Sequence, residues 1–289
     1  MELLRALAAL SEPPGPDQAR IAVALELPAP SAADHTDLLG LQLMPYASVY
    51  VGAEGMIGGE ARDRIAGFWR ALGLVPPAEP DHLAALLALY AALADDERAQ
   101  AAAAHAALRR QARAALLHEH LLSWLDPWLA KLAEIAPPSY AAWGELLADA
   151  LRLEAAALLD GGEPPPAHLR AAPPLEPPQR TGGTAFLEAL LAPARSGLVL
   201  VRDDLARAAR ELGIGARIAE RRYMLCHLLA QDPARTLCWL QDEAERAALR
   251  PAAVAGPAAA AHWKDRAAAT ADVLGAARAA ITTEVLHAG

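Results

Sequence analysis

Leucine and alanine recur at helical spacing along most of this chain, and prolines and glycines mark the breaks. A short helix fits Glu2 to Leu10. Prolines 13, 14, 16, 28 and 30 then interrupt regular structure, and Asp34 to Leu43 opens the core as a helix. The glycines between Gly52 and Gly59 read as a loop. Glu60 to Leu72 is a helix with Ile65, Phe68, Trp69 and Leu72 on one face and Gly73 where a C-terminal cap belongs. After the rigid Pro76–Pro80 segment, Asp81 can cap a helix whose stripe is Leu83, Leu86, Leu87, Tyr90 and Leu93. Asp95-Asp96-Glu97 suits the start of a further helix that reaches Trp124, since negative charge favours an N-terminus. Leu117, Leu121, Trp124 and Trp128 continue one stripe. Pro127 either kinks that helix or, with Asp126, begins a new one. Ser139 caps a helix over Tyr140 to Leu159.

Proline is densest between residues 161 and 184, which predicts a stiff, extended linker. The expected organisation is therefore a helical domain over 1–160, a Pro/Gly-rich linker over 161–184, and a C-terminal helical region over 185–289. In that last region the pattern gives helices over Phe186–Leu191, from Asp203 or Asp204 to Leu212, and over Arg217–Ala230, Arg235–Leu249 and Ala258–Leu286.

Composition sharpens this into an all-α fold. Hydrophobic residues make up 54% of the chain, much of it alanine, and only 4% is aromatic. Val, Ile and Thr are scarce, which disfavours a large sheet. The six tryptophans are the bulky anchors of a Leu/Ala core. Lys and Arg total 26 against 35 Asp and Glu, a net charge of −9. Such a surface repels phosphate backbones and favours a basic partner. Cys226 and Cys238 fit no metal or redox spacing and suit a reducing compartment. The N-terminus lacks a signal-peptide pattern, and no apolar run is long enough to span a bilayer. A cytoplasmic protein is expected.

Candidate chemistry is sparse. Asp81-His82 puts a carboxylate beside an imidazole at a helix start, with no Ser or Cys nucleophile to complete a catalytic set. Its two readings are a cap with an exposed histidine, and a groove carboxylate that pairs with a ligand's Arg or Lys. His118 and His120 point to different helix faces and make a poor metal pair. Trp124, Trp128 and Trp143 are either core or the wall of a groove for an apolar peptide. Tyr46, Ser48 and Tyr50 are either packing residues or part of a cleft. No catalytic set, metal site or cofactor is expected. Residues 203–230 have the outline of a helix-turn-helix, with Arg217, Arg221 and Arg222 on the second helix. A DNA-binding regulator is the alternative function, against which the acidic total stands.

Three segments, in order, resemble the TorD/DmsD/NarJ family of cytoplasmic molybdoenzyme maturation chaperones. They are Pro45-Tyr46-Ala47-Ser48-Val49-Tyr50, Glu79-Pro80-Asp81-His82-Leu83, and His120-Leu121-Leu122-Ser123-Trp124 with Pro127-Trp128. The resemblance runs from about Leu38 to Leu159. It departs from the family where Glu79-Pro80 abuts Asp81-His82 without the usual extra residue, and where the C-terminal region exceeds that of compact members. It implies a TorD-like helical bundle and a non-enzymatic chaperone, either a monomer or a homodimer. The implied partner is the catalytic subunit of a molybdenum-containing oxidoreductase, or its twin-arginine signal peptide. Tyr46, Tyr50, Glu79, Asp81, His82, His120, Trp124 and Trp128 are the expected client-binding residues.

Overall fold

The structure, a computed structural model, describes the chain except Ala216, Ile218, Ala255 and Gly289, with side chains described as far as Ile281. The protein is all-α: among the described residues there is no strand, only an isolated antiparallel bridge between Tyr46 and His82. No described helix is long and apolar enough to cross a membrane. The chain forms two compact units, one of residues 1–49, 57–170 and 252–260, the other of residues 50–56, 171–251 and 261–289.

In the first unit the helices are α1 (Glu2–Leu10), α2 (Pro16–Ala24) and α3 (Ala32–His35), the last continuing as a π-helical segment over Thr36–Gln42. Then come α4 (Ala47–Val51, which ends beyond the unit), α5 (Gly59–Ala71), α6 (Leu83–Ala99) and α7 (Ala103–Ala115). A second π-helical segment, Leu116–Leu121, leads into α8 (Leu122–Ile135), and α9 (Pro138–Leu158) follows. Pro16 does not break structure. It occupies the first turn of α2, where its missing N–H is no loss.

Asp95-Asp96-Glu97 starts no helix. The three carboxylates sit near the C-terminal end of α6, where the helix dipole opposes negative charge. Arginines offset that penalty. Arg5 on α1 and Arg98 both pair with Asp95, Arg109 approaches Asp96 at 2.6 Å, and Arg113 approaches Glu97 at 3.0 Å. Arg113 also lies 5.5 Å from the Tyr90 ring centroid, and the Tyr90 hydroxyl donates to Glu154 on α9 at 2.6 Å. This half-buried network ties α6, α7 and α9 together.

The tryptophans hold the centre. Trp124, Trp128, Trp143 and Tyr140 form a chain of edge-to-face contacts with centroids 5.8, 6.0 and 5.9 Å apart. The Trp143 indole N–H donates to the Leu7 carbonyl at 3.1 Å, which joins α9 to α1. Pro127 lies inside α8, with residues 121–129 all buried. Asp126 in that stretch accepts the backbone N–H groups of Ala253 and Val254 at 2.6 and 2.9 Å, which fixes the late segment 252–260 into this unit.

The proline-rich stretch is not a bare linker. Its N-terminal end carries α10 (Ala167–Ala171), whose His168 and Leu169 are buried, and α11 (Pro178–Thr181) follows. His168, Leu169, Ala172 and Leu175 between the prolines give it surface to bury, which a Pro/Gly spacer lacks.

The second unit continues with α12 (Gly183–Leu191), α13 (Pro193–Ser196), α14 (Arg202–Leu212), α15 (Arg221–Gln231), α16 (Pro233–Leu249) and α17 (Pro257–Ala288, which begins in the first unit). Its core gathers Phe186, Leu190, Leu205, Leu225, Leu240 and Leu274. The helix-turn-helix expectation fails here. Residues 213–220 separate α14 from α15, far more than a tight turn, because Glu220 delays the helix start by accepting the Arg222 and Tyr223 N–H groups. Arg217 lies before the helix, not on it. Arg221 is spent on the Leu200 carbonyl and Arg222 on Glu188.

Trp128→Ala removes the middle of the aromatic chain, and we expect a loss of about 3–5 kcal/mol of stability, read as a lower urea midpoint in far-UV circular dichroism.

Candidate functional site

A proline and a turn set up the site. Pro45 biases the preceding Met44 toward extended backbone, and a turn over Glu79–His82, closed by the His82 N–H on the Glu79 carbonyl at 3.3 Å, brings a second segment alongside Tyr46. The two segments pair. The Ala47 N–H donates to the Asp81 carbonyl at 3.0 Å, and the Leu83 N–H donates to the Pro45 carbonyl at 2.8 Å. Directly opposed residues of such a bridge project their side chains to the same side. Tyr46 and His82 therefore meet, edge to face, with centroids 4.9 Å apart.

Asp81 does not cap its own helix. The pairing turns its carboxylate toward the start of α4, where it accepts the Ser48 N–H at 3.2 Å. It is 1% exposed and acts from within. Ser48 in turn accepts the Gly58 N–H at 3.1 Å, which anchors the glycine loop. Gly58 has φ +96°, a conformation closed to most side chains. His82 is the residue that caps α6, its Nδ1 accepting the Ala84 N–H at 3.2 Å. The Trp69 indole on α5 donates to the Pro80 carbonyl at 3.4 Å, and Arg62 donates to the Ala78 carbonyl at 2.9 Å. Both hold the Pro76–Pro80 segment against α5.

The electrostatics are acidic at the surface. Glu79 is exposed and hydrogen-bonds Tyr46, whose phenol is pushed up to about 12 by burial and by that carboxylate. Burial holds the His82 imidazole below its ordinary range, although Glu12, Glu79 and Asp81 all pull the other way. The neutral ring keeps Nδ1 as an acceptor for the cap. Glu12 Oε1 lies 3.5 Å from the same nitrogen and can pair with it only when the ring is protonated. Glu12 is a site residue that the motifs do not reveal, because it approaches from the segment after α1. The only available signal was its charge. On the chain just before the site, Leu74 and Val75 are exposed, Val75 at 89%.

The remaining expected residues lie elsewhere. Trp124 and Trp128 are fully buried, so the indole stripe is core and not a groove wall. The Trp124 N–H donates to the His120 carbonyl at 2.9 Å. His120 packs its ring 4.9 Å from Phe68 and stacks on His168 at 6.4 Å. Tyr50 is buried and belongs to the second unit. Of the eight residues singled out, the structure brings Tyr46, Glu79, Asp81 and His82 together.

Burial pushes His120 down to about 4, with Arg64 adding to it, and His168 down to about 3, with His120, Arg64 and His118 adding to it. Both fold as neutral rings. The unfolded chain takes up protons below its ordinary histidine value of about 6.5, while the folded chain does not until well below that. Stability is therefore complete above about pH 6.5 and falls as pH drops toward 4 and then 3, by up to roughly tenfold in the folding equilibrium per pH unit per histidine. Urea midpoints at pH 7 and pH 5 should show this drop, and His120→Gln together with His168→Gln should flatten it.

Residues 29–130 match the family model described as nitrate reductase delta subunit. No curated protein and no solved structure matches the chain. The matched family is one of chaperones for molybdoenzyme maturation, not of catalysts, and it acts with the nitrate reductase catalytic subunit. The match contains both partners of the Tyr46–His82 bridge, α5 that braces it, and the His120–Trp128 segment of the core. Over residues 29–130, about a third of its length, this chain is similar to the nitrate reductase delta subunit family of NarJ/TorD-type chaperones.

Proposed function

We propose that the first unit holds the catalytic subunit of a molybdenum-containing oxidoreductase during cofactor insertion and assembly, in the cytoplasm, by gripping a basic-then-apolar segment such as a twin-arginine signal peptide. One observation carries this reading: two carboxylates flank the Tyr46–His82 pair, Glu12 at 3.5 Å from the His82 Nδ1 and Glu79 hydrogen-bonded to Tyr46. Glu12 and Glu79 offer charge to a ligand's arginines. Asp81 is a positioning residue, since it is buried and engaged with the backbone of α4. The neutral state of His82 matters for the same reason, because an imidazolium beside Glu12 would cancel part of the attraction. The apolar half of the ligand would find Leu74 and Val75, which the Pro76–Pro80 brace presents to solvent. An arrangement of this kind complements both halves of a signal peptide. It makes and breaks no covalent bond.

Glu12→Gln with Glu79→Gln should weaken binding of the client's leader peptide by roughly 0.5–1 kcal/mol per charge removed, with the difference shrinking in high salt as screening takes over. Calorimetry on the folded double variant reads this. An affinity equal to that of the unaltered protein at low salt removes the acidic patch from the interface.

Asp81→Ala should act differently. It strands the Ser48 N–H in a buried place, at about 1–3 kcal/mol of stability, and weakens the peptide by loosening the Tyr46–His82 pair. Asp81→Asn keeps an acceptor and should recover most of both losses, in melting temperature and in peptide affinity alike.

A further inference from the structure

The second unit contains a cavity of about 560 Å³. That is the size of a metabolite site. One wall is the segment Ala53–Met56 from the glycine-rich loop. Gly55, at φ +63°, seats that wall so tightly that a Cβ would come within 2.7 Å of the Ala192 Cα. Met56 and Leu191 supply apolar surface, and Arg195 and Arg221 supply charge.

Those two guanidiniums set the cavity apart from the rest of this acidic chain. Most arginines here pair with carboxylates. Arg222 at the cavity does so, 3.3 Å from Glu188, and Glu220 is engaged with the start of α15. Arg195 has no such partner: its Nε is buried with no hydrogen bond among the described residues. Arg221 donates to a neutral carbonyl, that of Leu200, at 2.9 Å; burial disfavours its charge, and the nearby Glu220, already spent on capping α15, offsets this only in part. Close by, Arg266 donates to the Ala172 carbonyl at 3.0 Å, leaves its Nη1 buried and unbonded, and is repelled by Arg195. Partly desolvated cations without a paired carboxylate are costly to hold. They persist most readily where an anion completes them, and a planar guanidinium fork matches an oxyanion's geometry.

We propose that the cavity floored by Arg195 and Arg221 binds a small organic oxyanion, with its carboxylate or phosphate group on the guanidiniums and its apolar body against Met56 and Leu191. Among the described residues, the one acidic side chain lining the cavity with no role in pairing or capping is Glu54, which is exposed on the loop wall. It tunes the site by opposing the anion.

The test uses the full chain at fixed ionic strength, with phenyl phosphate, benzoate and neutral benzyl alcohol as probes in calorimetry and thermal melts. At least one anion should bind at millimolar concentration or better and raise the melting temperature, while benzyl alcohol does neither. The better of the two anions says whether the natural ligand carries a phosphate or a carboxylate. Arg195→Gln should cut that affinity by on the order of tenfold and leave the ligand-free melting temperature unchanged or higher, because it removes an uncompensated cation and no side-chain hydrogen bond. Glu54→Gln should tighten the anion at low ionic strength. Failure of both anions to bind overturns the proposal. So does an Arg195→Gln variant that binds as before, or one that melts earlier without ligand, which would make Arg195 a structural residue.

Discussion

Two backbone hydrogen bonds organise the first unit, those that join residues 45–47 to residues 81–83. They bring together segments more than thirty positions apart, and they fix which way each neighbouring side chain points. Asp81 turns to α4 because of them, His82 is left to cap α6, and Tyr46 is set beside His82. The pairing is short because α4 begins at Ala47 and α6 at Leu83, at the paired residues themselves. A longer ladder would consume the first turns of α4 and α6. The pairing thus gives an all-helical protein a single extended seam, and the candidate site is the surface of that seam.

Charge is managed in opposite ways in the two units. In the first, carboxylates that would destabilise the end of α6 are matched by arginines of α1 and α7, while Glu12 and Glu79 at the seam meet no cation among the described side chains within ion-pair distance other than a neutral His82. In the second, Arg195 makes no ion pair among the described residues, and Arg221 has only the capping Glu220 to offset its burial in part. Uncompensated charge is unfavourable in either sign. Its concentration at one surface and one cavity marks both as places where another molecule completes the arrangement.

The histidines follow a related logic. His82, His120 and His168 are all kept neutral by burial, yet for different ends. His120 and His168 stack ring on ring beside Phe68 and are part of the packing. His82 has a surface edge and a carboxylate at 3.5 Å, so its protonation would exchange a backbone cap for an ion pair.

The chain's helical periodicity determined the fold class, the α5 stripe and its Gly73 terminus, and the motif order pointed to the family that residues 29–130 resemble, because these depend on residues close in sequence. Asp81-His82 stood out for the same reason. What the residues do was decided by tertiary contacts. Nothing local to Asp81 says that its carboxylate serves α4, and nothing local to Asp95–Glu97 says that arginines from α1 and α7 make a helix end tolerable. Trp124 and Trp128 read equally well as groove or core, since an amphipathic stripe records that a face is covered but not by what. Only packing against Trp143 and Tyr140 resolved them as interior. Glu12 and the Arg195 cavity were invisible for a plain physical reason: each depends on charges brought together by the fold from segments that carry no shared pattern.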